Sequence, residues 1–380
     1  MHIGLDGIPL TEPKTGVGHY TFELAVAMAR VSPDSNFEIV YPSNLRQVTI
    51  TDDARTLPSN LEIKRIRVGP VGRYWWSAGL PRYVRRNGID LFHGTNYDVP
   101  PWHQCATVLT IHDLSLLIHP ETHEKRRVRR SRRRLPLMAR AANAIIVPTE
   151  SVRREVCEHL GISPQKVFAI PESARDCFTP MEMKATEHVR ERLGIGDNFL
   201  LTVGTLEPRK NLLTLVRAVE EIANDQPTLQ LVIAGSRGWL SEPLFEAIEK
   251  SPAKERIVLT EYLNDDDLRA LYSSCSAFVY PSIYEGFGLP PLEAMACGAP
   301  VIASHIPALE ETTGGAAVLF EPNDVNSLAS AIVDLLQSSE LRSRFSALGR
   351  VRAAEFTWEH TARLTLEVYD KAKARWQQHH

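Results

Sequence analysis

Short apolar runs rich in valine, isoleucine and leucine alternate with helical patterns along nearly the whole chain, and they do so in two successive halves. In the first half the runs are His2–Asp6, Phe37–Tyr41, Ile63–Val68, Asp90–His93, Thr107–His112 and Ala144–Pro148, with amphipathic helices expected at Tyr20–Arg30 and Lys125–Ala142. In the second they are Phe199–Gly204, Leu229–Gly235, Ile257–Thr260, Ala277–Pro281, Pro300–Ala303 and Ala317–Phe320, with helices expected at Leu212–Ala223, Asp266–Ser274, Pro290–Cys297 and Val325–Leu336. Strand–helix–strand alternation forces crossover connections, and these give parallel sheets covered by helices on both faces. Buried parallel strands read as continuous apolar runs, as these do. The expected fold class is therefore α/β, with two doubly wound parallel sheets. A chain of 380 residues also exceeds one ordinary core. The break falls near residues 172–197, where Ser173–Gly196 is polar, carries Pro180 and shows no strand pattern. This predicts domains over 1–175 and 176–357, followed by a final helix after Thr357. Two such domains facing each other leave a central cleft at the carboxyl ends of their strands, where these folds bind ligands.

The formal net charge of −3 creates no global field that demands a nucleic acid. Five scattered cysteines without a Cys-x-x-Cys pair predict a reducing cytosol, with no zinc site and no disulfide frame. The start, Met1 to Asp6, lacks the basic and then apolar pattern of a signal peptide. No apolar stretch approaches the roughly 18–20 residues of a membrane span.

The informative residues stand at strand ends. After Asp6 comes a loop holding Gly16-Val-Gly18 and then a helix. Glycines there let the backbone approach an anion at a helix N-terminus, or they simply permit a positive φ. His112-Asp113 ends another apolar run, either to hydrogen-bond a sugar hydroxyl or steady developing charge, or to cap the next segment. In VGTLEPRKNL a strand ends at Gly204, Thr205 follows, and Arg209-Lys210 stand before a helix. Cations at a helix N-terminus oppose its dipole, and a nearby anion removes the conflict. A phosphate fits that role, with lysine as a point charge and arginine as a fork; a solvated basic turn is the plainer alternative. Gly235, followed by Arg237, repeats the strand-to-glycine design.

In YPSIYEGFGLPPLEAMACGAPVIAS, Glu285 precedes a Gly286-Phe287-Gly288 turn and Glu293 falls in the second turn of the following helix. Such a turn exposes amides to a diphosphate, and Pro290 suits the helix start. A capped helix with a surface carboxylate would explain one glutamate but not both. The acidic run Asn264–Leu268 reads as a helix cap with dipole-matching aspartates, not as a metal site.

Glu285 and Glu293 match the E-x7-E motif of the retaining GT-B glycosyltransferases of family 4. The Arg209-Lys210 turn, the first glycine loop and His112-Asp113 follow that family's order, and the resemblance covers nearly the whole chain. In wording, the chain is similar to bacterial GDP-mannose-dependent mannosyltransferases of surface polysaccharide synthesis. The resemblance implies two Rossmann-like domains, with a last helix over 358–380 crossing back to the first. It implies that Arg209 and Lys210 hold the diphosphate, that Glu293 takes the ribose hydroxyls, and that Glu285 with the amides of Phe287, Gly288 and Leu289 holds the transferred sugar and the phosphates. It puts the base near Tyr262-Leu263, with Gly204, Thr205, Gly235 and Asp113 also on the donor side. Gly16 and Gly18 would close over the phosphates from the other domain, and His112 would contact the sugar. Some members carry a basic residue where this chain has Thr205, which shifts the clamp onto Arg209 and Lys210.

Breaking a sugar–diphosphate bond leaves negative charge on the departing oxygen, and aimed cations lower that barrier. Lacking a carboxylate cluster with metal-ligand spacing, the chain is expected to need no metal and no cofactor beyond the nucleotide-sugar substrate. Front-face transfer with retention is the expected route, and the alternative is a double displacement with Glu285 as nucleophile. The run EKRRVRRSRRR places Arg126, Arg127, Arg129, Arg130, Arg132, Arg133 and Arg134 on one expected helix, with Trp75, Trp76, Arg82, Arg85 and Arg86 earlier in the chain. A solvated helix would mix signs, so an anionic surface is expected there. That fits a cytoplasmic protein docked on the inner leaflet, with a glycan or polyprenyl-linked acceptor. The alternatives are a glucosyltransferase using a UDP-sugar, a GT-B sugar-nucleotide epimerase and, more distantly, a nucleic-acid-binding protein that would leave the paired glutamates idle.

Overall fold

The computed structural model describes residues 1–11, 16–48, 57–69, 74–102 and 104–379. Residues 12–15 of the first glycine loop lie outside the described residues. The chain divides into two units. The first comprises Met1–Leu114, Arg129–Glu172 and Thr357–His380, and the second comprises Ser115–Val128 and Ser173–Phe356.

Among the described residues the first unit holds a seven-stranded sheet: β1 (His2–Asp6), β2 (Asn36–Pro42), β3 (Leu61–Ile66), β4 (Leu91–Gly94), β5 (Ala106–Thr110), β6 (Ala144–Val147) and β7 (Val167–Ala169). Its order is β3-β2-β1-β4-β5-β6-β7, parallel throughout. The second unit holds six parallel strands: β8 (Phe199–Val203), β9 (Gln230–Ala234), β10 (Ile257–Thr260), β11 (Ala277–Tyr280), β12 (Val301–Ser304) and β13 (Val318–Phe320). Their order is β10-β9-β8-β11-β12-β13. Both units are Rossmann-like, each with its strand order reversing next to its first strand.

Side chains alternate faces along a strand, so a fully apolar strand feeds two cores at once. In the second unit Phe199, Leu201, Val232, Phe278 and Val301 enter one core. Their sequence neighbours Leu200, Leu231, Ile233, Val279 and Ile302 enter the other. In the first unit the helices Gly16–Val31 and Trp358–His379 share a core with β1 and β2, in which Leu24, Met28 and Tyr369 are fully buried. Tyr369 is also tied to the sheet by polar contacts. Its hydroxyl lies 2.7 Å from His93 Nδ1, whose Nε2 is 2.7 Å from Thr110 Oγ1. Burial pushes the His93 pKa down to about 3, so the ring is neutral in that chain.

The structure amends several sequence expectations. β7 is a three-residue strand, too short to show a period. β5 stops at Thr110, so His112 lies beyond the strand and does not end it. The polar stretch between the halves contains a helix, Met183–Leu193, closed by Gly194 at φ 70°. Among the described residues no helix is long and apolar enough to cross a membrane.

Candidate functional site

In an open parallel sheet, two neighbouring strands whose connections leave in opposite directions part at their carboxyl ends and open a crevice. In the second unit those strands are β8 and β11. β8 runs into Gly204 and a short 3-10 turn, Pro208–Lys210, before the helix Leu212–Ile222. β11 runs out at Tyr280 towards Glu285. The two chain ends meet there through charge.

Lys210 Nζ donates to Glu285 Oε1 at 2.6 Å and to the Tyr280 hydroxyl at 2.6 Å. Arg209 Nη1 donates to the Tyr284 carbonyl at 2.8 Å and lies 2.9 Å from Glu285 Oε2. Its Nη2 donates to Glu207 Oε1 at 2.6 Å. The Glu285 side chain is 9 % exposed and that of Lys210 13 %. Burial alone would raise the Glu285 pKa, but the charges of Arg209 and Lys210 outweigh it and hold the carboxylate at about 2. Burial pushes the Lys210 pKa below its ordinary value, because Glu285 offsets only part of the desolvation and Arg209 repels it. The single contact therefore favours the carboxylate more than the ammonium.

The helix-dipole conflict expected for Arg209 and Lys210 is resolved by these side chains. The pair stands in a turn ahead of the helix, with Asn211 left-handed at φ 53°, and its countercharges are Glu207 and Glu285. Lysine has three N–H donors and two are used, so the third has no partner among the described residues. This corner can receive an oxyanion at that donor, and a larger anion can displace Glu285 from both cations.

The strand-end glycines are there for space. Gly204 has φ 148°, and a Cβ on it would lie 3.5 Å from Lys210 Cε, beneath the lysine stem. A Cβ on Gly235, at φ 150°, would fall 2.0 Å from the Gly204 carbonyl oxygen, so the two loop backbones touch. Thr205 borders the same turn; its methyl would stand 2.8 Å from a Cβ on Gly238. Gly288, at φ 97°, leads into the helix Leu289–Ala296, and a Cβ there would strike Leu309 at 2.5 Å. Phe287 is buried against Phe356, and its carbonyl accepts from Thr312 Oγ1 at 2.6 Å. Leu289 packs at the edge of the same core.

Glu293 belongs to a second ion group, separate from that of Glu285. Arg175 lies between Asp265, at 2.5 Å, and Glu293, at 3.5 Å, and the Tyr272 hydroxyl donates to Glu293 Oε2 at 3.4 Å. Here burial wins over Arg175 and raises the Glu293 pKa to about 7. Asn264 caps the helix Asp265–Ser274 by accepting from the Asp267 N–H at 2.9 Å. The three aspartates do occupy its first turn, but two of them also pair with arginines, Asp265 with Arg175 and Asp267 with Arg192. Tyr262 is exposed and Leu263 half-buried just after β10. Among the described residues no cluster of three His, Cys, Asp or Glu side chains could hold a metal. Arg175, Glu207, Tyr272 and Tyr280 were missed from sequence. Arg175 and Glu207 lie in polar segments, and the tyrosines pass for core.

The remaining expected residues lie in the first unit. Gly16 opens the first long helix, and a Cβ on Gly18 would come within 3.0 Å of the Pro9 carbonyl oxygen. His112 Nε2 donates to the Thr95 carbonyl at 2.8 Å, and Nδ1 faces Glu172 at 3.2 Å. Burial works against its positive charge, but Glu172 outweighs burial and raises the pKa. Both ring nitrogens of His112 are thus engaged within the first unit. The Asp113 N–H donates to the Tyr97 hydroxyl at 3.0 Å.

The arginine run forms the helix Lys125–Ala141. Arg126, Arg129, Arg130, Arg132 and Arg133 are exposed and have no ion-pair partner among the described residues. The other two depart from the expected patch: Arg127 stacks 4.5 Å over Trp239, and Arg134 pairs with Asp98.

The family described as Glycosyltransferase Family 4 matches residues 15–173, and Glycosyl transferases group 1 matches residues 184–352. An O-antigen chain mannosyltransferase B of Escherichia coli is 29% identical over 371 residues, which is 95% of this chain and 97% of that protein. The serotype-specific mannosyltransferase WbdA of Escherichia coli is 32% identical over 60% of this chain, and the match spans 29% of that longer protein. Among solved structures, sucrose-phosphate synthase from Thermosynechococcus elongatus superposes with a TM-score of 0.79 at 22% identity, covering 98% of this chain and 99% of that one.

Proposed function

Since the chain belongs to the GT-B glycosyltransferases of group 1 and family 4, we propose that it moves mannose from GDP-mannose to a glycan or polyprenyl-linked acceptor with retention at the anomeric carbon. Mannose is supported by the full-length Escherichia coli relative, whose name is that of a mannosyltransferase. The observation that carries the chemistry is the spare N–H of Lys210, held beside Arg209 at the β8/β11 crevice.

In this reading the diphosphate takes the Arg209-Lys210 corner, and its negative charge replaces or shares that of Glu285. As the sugar–oxygen bond breaks, the departing phosphate oxygen gains charge. Preformed cations stabilise that charge without reorganising, in place of a divalent ion. The same oxygen then accepts the acceptor's proton as the new bond forms on the face the phosphate leaves. Glu285, with the amides around Phe287, Gly288 and Leu289, holds the hexose. Glu293 accepts hydrogen bonds from the ribose, and Tyr262-Leu263 border the base. The exposed arginines 126, 129, 130, 132 and 133 dock the protein on an anionic cytoplasmic leaflet.

A nucleotide-sugar panel tests this. Nucleotide release is expected to be fastest with GDP-mannose, undiminished by EDTA, and to give an α-linked product. Preference for a UDP-sugar, loss of activity in EDTA or an inverted product would overturn the corresponding part. Sedimentation with anionic liposomes is expected to vanish when the five arginines are neutralised, and persistent binding would refute the docking helix.

A further inference from the structure

The first unit carries a pocket whose lining shares no residue with the Arg209-Lys210 corner. It lies where the end of β3 meets a helical segment, Trp75–Gly79 continuing into Leu80–Asn87, and its volume is about 340 Å³. The first part of that segment is a π-helix, closed by the Leu80 N–H donating to the Trp75 carbonyl. Such wide turns are unfavourable and recur at binding sites. This one lays the buried Trp75 ring against Gly79, where a Cβ would lie 2.9 Å from the ring. The indole N–H of Trp75 has no acceptor among the described residues.

The walls are of two kinds. Ile66, Val68 and Trp75 are apolar, while Arg67, Arg82 and Arg86 stand at the rim, exposed. None of the three arginines has an ion-pair or hydrogen-bond partner among the described residues. The nearby carboxylate, Glu38, offers no opposition, because Lys64 at 2.5 Å, His2 at 3.0 Å and the Tyr83 hydroxyl at 2.7 Å already take it up. Three guanidinium groups without a partner among the described residues, set over an apolar floor, suit an anion joined to hydrocarbon. A bare anion leaves the floor wet, and a neutral chain leaves the charges unmatched. The volume also exceeds what one small anion fills.

We propose that this pocket binds a phosphate ester carried on a hydrocarbon chain, with the phosphate at Arg67, Arg82 and Arg86 and the first carbons of the chain against Trp75. Guanidinium suits phosphate because its planar donors pair two oxygens at once. The site does not rest on the identity of the sugar donor.

Calorimetric titration of the full chain tests it, with decyl phosphate below its micelle concentration, decanol and inorganic phosphate as separate probes and no nucleotide sugar present. Decyl phosphate is expected to bind one per chain, at least tenfold more tightly than either other probe. The exposed double variant Arg82→Ala/Arg86→Ala, with its fold checked by circular dichroism, is expected to weaken it tenfold or more. Equal binding of inorganic phosphate would make this a simple anion site, and equal binding of decanol a simple apolar one. Either result, unsaturable binding, or a variant within twofold of wild type overturns the proposal. Sugar transfer to a soluble glycan is followed in the same variant. Retained transfer with lost binding supports the pocket, whereas absent transfer in the wild type with intact phosphate-ester binding counts against the transferase chemistry alone.

Discussion

Replacing Glu285 by glutamine removes one charge and little volume from the Arg209-Lys210 corner. In the folded protein the carboxylate titrates at about 2, against an ordinary value of 4.5. Each unit of such a difference corresponds to about 1.4 kcal/mol, so the carboxylate's share is about 3 kcal/mol. That is an upper bound, since Lys210 is itself pushed down by the same burial. A depressed carboxylate pKa contributes stability that is complete above 4.5 and lost as pH falls through 2. Glu285→Gln should therefore unfold earlier at pH 7 by roughly 5–10 °C for a unit of this size. The gap to wild type should close as pH drops from 4.5 towards 2. Because the cations in the variant have lost their countercharge, GDP should raise its melting temperature more than that of wild type. Scanning calorimetry with and without GDP, at neutral and acid pH, reads all three effects. A melting temperature within about 1 °C of wild type, or a GDP shift no larger than wild type's, would refute the charge-compensation argument.

Other consequences follow from the same geometry. Lys210→Ala should lower turnover by ~10²-fold or more, the scale of losing a principal charge stabiliser, while the fold survives; near-normal turnover would remove Lys210 from the chemistry. Glu293 titrates at about 7, above its ordinary 4.5, so the stability linked to it is complete below 4.5 and lost as pH rises through 7. Glu293→Gln should thus gain stability relative to wild type between pH 5 and 8. Donor affinity should rise over the same window in wild type only, because the proposed ribose acceptor is the ionised carboxylate; a flat affinity profile in wild type would argue against that role. Gly235→Ala should be severely destabilised, since its Cβ would fall 2.0 Å from the Gly204 carbonyl oxygen. Gly194→Ala, left-handed but in open space, should cost only about 1 kcal/mol. Similar melting temperatures for the two glycine variants would contradict the close-approach argument.

Much of the fold is legible in the sequence because parallel strands buried on both faces leave apolar runs such as FLLTV and AFVY that few other structures require. β7 escapes notice because three residues carry no period, and its partner β6 supplies most of the evidence for it only in three dimensions. Within the site, residue type and position at a strand end single out Arg209, Lys210 and Glu285. Their mutual pairing is another matter, since Lys210 and Glu285 lie 75 positions apart and meet only because β8 and β11 are neighbours. Arg175 illustrates the limit more sharply. It sits in a polar stretch that looks like a connection, yet it is the buried cation between Asp265 and Glu293. Local sequence carries no sign of such a partner, because the countercharges arrive from helices 90 and 118 residues away.

The most direct measurement is a crystal structure of the protein soaked with GDP in the presence of EDTA. The diphosphate is expected within hydrogen-bond distance of Lys210 Nζ and the Arg209 guanidinium, with Glu285 moved off at least one of them. A diphosphate bound elsewhere, or one that appears only when a divalent ion is restored, would contradict the claim that side-chain cations alone balance the departing group.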